Sequence, residues 1–237
     1  MQKIVCYFMT RNIYANILPS LKSLLKNGNI DRVYLMIEDD DIGFDLPDKV
    51  ITMNVGDQSW FRKDGPNYSR KWTYMVMMKA VVCYLLPYEQ ALTLDVDTII
   101  LDDLTPLWGM DMSKYTIAGV TEPHWLHHFK HSYINAGVVM WNLERMRNGR
   151  ADQLIDAMNT QRYNLVEQDC INEHLHNETL LIDGMWNRCD FTITTKRSPK
   201  ILHFASRGQE RFMQEPVVRE YAAMPWEEVF GRRNNGQ

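Results

Sequence analysis

The chain has 237 residues, 45% hydrophobic and 24% charged, with 26 Lys and Arg against 30 Asp and Glu for a formal net charge of -4. This is the composition of a globular protein able to bury one sizeable core, and it excludes a disordered or fibrous chain. It gives no general attraction to nucleic acid, although Arg62-Lys63, Arg70-Lys71 and Lys196-Arg197 are local clusters able to meet phosphate.

The first predicted element is a strand over Ile4 to Phe8, followed after Thr10-Arg11-Asn12 by a helical pattern through Tyr14, Ile17, Leu18, Leu21, Leu24 and Leu25. Pro19 fits a first helical turn, and Asn27-Gly28 is a stop signal. Val33 to Ile37 and Val50 to Asn54 read as strands on either side of the loop-like Glu38-Asp39-Asp40-Asp41. Trp72 to Leu86 is helical until Pro87 ends it. A strand over Ala91 to Leu101, a short helix near Leu104 to Trp108 and strands at Tyr115 to Val120 and Ala136 to Trp141 follow. Ala151 to Met158 and Val166 to His176 read as helices, Ile201 to Phe204 as a short strand and Pro216 to Ala223 as a terminal helix.

Continuously apolar strands alternating with helices predict an α/β fold, a mostly parallel central sheet flanked by helices. One domain over 1–231 is expected, with halves at 1–110 and 111–215, a helical segment at 216–231 and a flexible tail at 232–237. The four cysteines show no CxxC spacing and read as reduced, buried thiols, which points to the cytoplasm. No run approaches a membrane span, and the apolar stretch behind Met1 is too short for a signal peptide. Nothing in the sequence speaks to oligomeric state.

Two carboxylates interrupt the apolar run Ala91-Leu92-Thr93-Leu94-Asp95-Val96-Asp97-Thr98-Ile99-Ile100-Leu101. Within a strand, residues i and i+2 share a side at a rise of roughly 3.3 Å each, so Asp95 and Asp97 are expected to face one cation together. Ligands of open α/β sheets gather at the carboxyl ends of strands, where this pair is expected. A surface turn or a pair of helix caps is the competing reading.

The ordered set Leu94-Asp95-Val96-Asp97, Leu104-Thr105-Pro106-Leu107-Trp108, Tyr133-Ile134-Asn135-Ala136-Gly137, Glu167-Gln168-Asp169, Trp186-Asn187 and Ile201-Leu202-His203-Phe204 resembles glycosyltransferase family 8. These are retaining sugar-nucleotide transferases of the GT-A fold, including glycogenin and bacterial galactosyl and glucosyltransferases. The resemblance implies transfer of glucose or galactose from a UDP-sugar to the hydroxyl of a carbohydrate or other acceptor. It also implies a divalent ion, Mn²⁺ or Mg²⁺, held by Asp95, Asp97 and His203. Carboxylates suit both ions, and an imidazole ligand leans towards Mn²⁺.

By the same resemblance Tyr14 stacks on the uracil and the backbone at Met9 and Thr10 edges the base, against the alternative of a core tyrosine. Asn135, Ala136 and Gly137 contact a sugar, against a plain junction of loop and strand. Gln168 lies near the anomeric carbon, while Glu167 and Asp169 hold donor hydroxyls or else cap a helix. An amide is a poor nucleophile, which favours same-face substitution over a covalent glycosyl-enzyme.

The chain departs from the family pattern in its phosphate cations. Ser206 and Gln209 stand where relatives carry glycine and lysine, and Arg207 or Arg211 is the replacement cation. Val76 stands where an arginine is expected, with Arg70, Lys71 or Lys79 in compensation, and Arg11 replaces an acidic residue. The loop with His124, His127, His128 and His131 lacks the glutamate of a HExxH helix, so Trp125 and Phe129 are expected to contact the acceptor or cover it. Two alternatives remain: a haloacid-dehalogenase-type phosphohydrolase, since Asp95-Val96-Asp97-Thr98 also resembles that nucleophile motif, and an inactive sugar-nucleotide-binding protein.

Overall fold

A computed structural model of the chain describes residues 1–69, 73–126, 128–205 and 208–231. Lys71 and Arg207, both expected near phosphate, fall outside the described residues, as do Arg70, Trp72, His127, Ser206 and the 232–237 tail.

Among the described residues nine strands form in chain order: β1 (Ile4–Phe8), β2 (Arg32–Ile37), β3 (Val50–Asn54), β4 (Gln90–Leu94), β5 (Thr98–Ile100), β6 (Ile117–Thr121), β7 (Ile134–Asn142), β8 (Thr179–Ile182) and β9 (Ile201–His203). Seven of them make one sheet in the order β3-β2-β1-β4-β7-β6-β8. The β1-β2, β2-β3, β1-β4 and β6-β8 pairs are parallel, and only β7 runs against its neighbours β4 and β6. The inner strands are buried along their length, as expected of a sheet covered on both faces.

The helices are α1 (Ile17–Asn27), α2 (Thr73–Met77), α3 (Val82–Leu85), α4 (Thr105–Trp108), α5 (Leu143–Arg145), α6 (Ala151–Thr160), α7 (Val166–Leu175), α8 (Gln209–Phe212), α9 (Pro216–Ala223) and α10 (Trp226–Val229). One face of the sheet packs Cys6, Phe8, Ala91 and Trp141 against α2, α3, α6 and α7, and the other packs Val5, Tyr7, Leu92 and Met140 against α1 and α4. The two residue sets alternate along β1 and β4, as the period of two requires. Among the described residues no helix is long and apolar enough to cross a membrane.

Two expected elements take a different form. The helix expected over Trp72 to Leu86 breaks into α2, a 3-10 turn at Met78–Val81 and α3. The tightened middle coincides with Lys79, whose ammonium is drawn inward to carboxylates. The single strand expected over Ala91 to Leu101 is two strands in two sheets. β4 ends at Leu94, Asp95 to Asp97 form a turn, and β5 pairs antiparallel with β9 outside the main sheet. Charged carboxylates are not accommodated inside a buried strand, so the chain leaves the main sheet where they begin.

Candidate functional site

Asp95 and Asp97 sit in the turn beyond the carboxyl end of β4. The turn is clamped by three hydrogen bonds: Asp95 N to Gly137 O at 2.8 Å, Thr98 Oγ1 to Asp95 O at 2.8 Å, and Phe204 N to Asp97 O at 2.9 Å. The β5-β9 pairing sets Thr98 opposite His203, bringing a histidine from more than a hundred residues away to the aspartate turn.

His203 Nε2 lies 3.4 Å from an Asp97 carboxylate oxygen and 3.7 Å from one of Asp95, and one ligand atom of each of the three residues falls within 4.8 Å of the others. The ring is buried, its Nδ1 donates to Asn187 Oδ1 at 2.9 Å, and its Nε2 faces the two carboxylates. Burial alone would lower the pKa of this imidazole, but Asp97, Cys189 and Asp95 outweigh it and push the value up to about 10. Burial likewise works to raise Asp97, yet His203 holds its carboxyl below the ordinary range. Two hard oxygens and a nitrogen, oriented from behind by an amide, form a donor set that fits a divalent ion such as Mn²⁺.

Gly137 makes room for that ring. A Cβ at this position would stand 2.1 Å from His203 Cε1, 2.7 Å from Nδ1 and 2.8 Å from Nε2. The close approach that Gly137 permits is used, among the described residues, by the imidazole.

Lys79 supplies the cation behind the carboxylates. Its ammonium donates to Asp95 Oδ1 at 2.6 Å, to Ala136 O at 3.0 Å and to Glu167 Oε1 at 3.2 Å, and the residue is 2% exposed. Burial opposes its charge, and the two carboxylates restore it, holding the pKa above the ordinary lysine value. Burial pushes the Glu167 carboxyl upward, opposed by Lys79.

Asn135, Ala136, Glu167, Gln168 and Asp169 come together around the first residues of β7 and the start of α7. Gln168 Oε1 accepts from Ala136 N at 2.9 Å, while its Nε2 donates to Glu122 Oε1 at 3.1 Å and to Tyr133 OH at 3.2 Å. Asn135 donates to Glu122 at 2.8 Å and accepts from Gly137 N at 3.0 Å and from Asn187 Nδ2 at 2.9 Å. An unbroken path of hydrogen bonds therefore runs from His203 through Asn187, Asn135 and Glu122 to Gln168, fixing which way each amide points. Asp169 accepts from Tyr133 OH at 2.6 Å and from the backbone amides of Asn164 and Leu165 at 3.0 and 2.9 Å, so its oxygens brace the approach to α7. At the head of that helix Val166 holds φ +37°, a left-handed conformation that is costly for a β-branched side chain.

Tyr14 belongs to the 3-10 turn Arg11–Asn16. Its hydroxyl accepts from Glu38 N at 2.6 Å and donates to Asp39 at 3.2 Å. Met9 is fully buried with its amide on Met36 O at 3.0 Å, and Thr10 precedes the turn, its carbonyl accepting from Ile13 N at 3.1 Å while the residue remains partly exposed. Arg11 is consumed by an ion pair with Asp39, whose carboxyl it holds below the ordinary range.

The model of glycosyl transferase family 8 matches residues 7–207. The chain belongs to glycosyl transferase family 8. Glycosyltransferase GlyE of Streptococcus pneumoniae TIGR4 superposes with a TM-score of 0.70 at 17% identity, over 97% of this chain and 62% of GlyE. Galactosyltransferase LgtC, solved with donor and acceptor sugar analogues, gives 0.67 at 15% identity, over 95% of this chain and 99% of LgtC. These likenesses establish the GT-A fold. In sequence, the chain is 22% identical over 152 residues to general stress protein A of Bacillus subtilis, and 26% identical over 166 residues to the probable glycosyl transferase Gly of Streptococcus gordonii. It spans 53% of the former relative and 23% of the latter.

Membership of family 8 sets the phosphohydrolase alternative aside, and the topology agrees: the aspartates follow β4, whereas that nucleophile motif follows a first strand. Two residues of the site carried little signal. Glu122 begins a histidine-rich loop and belongs to no spacing pattern; its partners lie 13 and 46 residues away. Lys79 was one of three cations expected to serve, and only folding distinguishes it.

Proposed function

We propose that this chain is a retaining, Mn²⁺-dependent transferase that moves a hexose, glucose or galactose, from a UDP-sugar to an acceptor hydroxyl. The observation that carries the reading is the convergence of Asp95, Asp97 and His203 at the carboxyl end of β4, one network away from the Gln168 amide. When bound, the ion supplies Lewis-acid neutralisation of the leaving diphosphate. Lys79 holds Asp95 oriented for that role, and Asn187 holds the orientation of the His203 ring.

Tyr14, fixed by its hydroxyl, presents a ring to the base, with the backbone of Met9 and Thr10 at the base edge. Asn135 and Ala136 line the sugar. Gln168 faces the anomeric carbon with an amide whose two ends are already fixed, and an amide does not form a stable glycosyl ester. The nearby carboxylates are engaged as well, Glu167 by Lys79, Asp169 by Tyr133 and two amides, and Glu122 by Asn135 and Gln168. That supports same-face substitution, in which the bond to the diphosphate breaks as the acceptor oxygen approaches from the same side and the departing oxygen takes the acceptor proton. Four free, buried cysteines suit a reducing, cytoplasmic setting.

The deciding experiment is a panel of nucleotide sugars with and without Mn²⁺, read by thermal melting and by UDP release. A UDP-hexose is expected to raise the melting temperature and to turn over only with Mn²⁺, and Asp97→Ala is expected to lower turnover by at least about 100-fold. Stabilisation without turnover would favour the inactive binding protein, and absence of both would sink the transferase reading.

A further inference from the structure

The loop between β6 and β7 rises from the site. Its two ends are joined where Thr121 pairs with Ile134 and Glu122 N donates to Tyr133 O at 2.8 Å, and at its base Glu122 reaches Gln168 and Asn135. Most of its aromatic side chains hold the loop in place. Phe129 stacks on Tyr133 at 5.1 Å, and Tyr133 is bonded to Asp169. His131 stacks on His176, just past the end of α7, with ring centroids 3.8 Å apart. The neighbouring segment is fastened too, by Ile193 N donating to Thr121 O at 2.9 Å.

Trp125 is the exception. It lies three residues beyond Glu122 in the 3-10 turn His124–Leu126, meets His124 edge-on at 5.4 Å and remains 74% exposed. No other described tryptophan is exposed. Beside it Leu126 is 42% exposed, and Ile193, anchored to Thr121 at the end of β6, is 50% exposed. A braced loop that starts from Glu122, bonded to Asn135 and Gln168, and keeps its largest apolar ring in water is built to meet a ligand.

We propose that Trp125 is the platform on which the acceptor glycan seats a pyranose ring, with Leu126 and Ile193 as its apolar borders. The proposal rests on the transferase reading above. A pyranose offers one face of C–H groups, which carries partial positive charge and matches the negative face of an indole, while its hydroxyls stay in water around the rim. Glu122 then lies at the inner end of the same loop, bonded to Gln168 of α7, where the acceptor hydroxyl must arrive. Phe129, which the sequence alone offers as an equal candidate, is a brace and not a platform.

The test uses the full chain as wild type, Trp125→Ala and Trp125→Phe, with melting temperature confirming the fold of each. Binding of UDP with Mn²⁺ is measured by calorimetry, and capture of oligosaccharides on a glycan array is measured with UDP and Mn²⁺ present. Trp125→Ala is expected to weaken capture of the glycans that wild type retains by on the order of 10-fold, and Trp125→Phe to keep most of it. With a retained glycan as acceptor, its KM should rise by a similar factor in Trp125→Ala while kcat and the donor KM stay put. Equal capture by wild type and Trp125→Ala would overturn the platform. So would a wild type that binds UDP with Mn²⁺ but retains no glycan, or loss of UDP binding in Trp125→Ala, which would make the residue a donor lid. Failure of wild type to bind UDP at all would instead refute the transferase reading beneath it.

Discussion

Two ionic clusters in this molecule use the same chemistry to opposite ends. Beyond β4, Lys79 is buried against Asp95 and Glu167, with Asp97 and His203 adjoining. At the edge near β8, Glu178 accepts from Thr116, Arg145 and Arg150 beside a cavity of about 160 Å³ lined by those two arginines, Asn148 and Glu178. In the second cluster two cations surround one carboxylate, and both arginines are about two-fifths exposed, at 37% and 41%. In the first, Asp95 and Glu167 share one buried lysine while Asp97 faces His203, so the carboxylates outnumber the cations and supply the hard oxygens that suit a divalent ion. Net charge and burial, not the number of ion pairs, separate a ligand site from a structural clasp.

Removing one member of each cluster gives the largest contrast. Lys79→Met leaves the buried Glu167 uncompensated and Asp95 without its partner and is expected to cost about 3 kcal/mol in urea unfolding, whereas Arg145→Ala, with Arg150 still in place, should cost about 1 kcal/mol or less. Equal losses would abolish the distinction. Next in size is Gly137→Ala. Because its Cβ would overlap the His203 ring, Mn²⁺ affinity by titration calorimetry is expected to fall by roughly 10- to 100-fold while the fold survives, and unchanged affinity would remove His203 from the ligand set.

The smallest effect concerns pH and belongs to the clasp. Burial works to raise the Glu178 carboxyl, but Thr116, Arg150 and Arg145 bring it down to about 2 from an ordinary 4.5. A carboxylate depressed in the folded state stabilises fully above its unfolded pKa and loses that contribution as pH falls towards the folded value. The difference in urea midpoint between wild type and Glu178→Gln should therefore be full above about pH 4.5 and shrink as pH falls towards 2. A difference that grows on acidification would contradict the clasp.

Regular elements were legible where local pattern and burial agree. The strands at Val33 to Ile37 and Val50 to Asn54 and the helix at Pro216 to Ala223 form nearly as their patterns predict. The edge strand β8 carries no such signal, because Thr-Leu-Leu-Ile is short and has no alternation, and only its pairing with β6 makes it a strand. Within the site, Asp95, Asp97 and His203 were legible as an ordered set. Their placement in a turn was not, since a run of apolar residues around two aspartates carries no mark of where one strand stops.

The sequence by itself determined the alternation of strands and helices, the side of the sheet on which a ligand would gather and the side chains able to hold a metal, because these follow from residue chemistry and short-range periodicity. Tertiary structure decided which cation lies behind the carboxylates, that Gly137 yields space to an imidazole, and that Glu122 ties Asn135 to Gln168. Those outcomes depend on contacts between residues tens of positions apart, whose geometry is fixed only when the pairing of β5 with β9 and the packing of α7 on β7 bring the segments together.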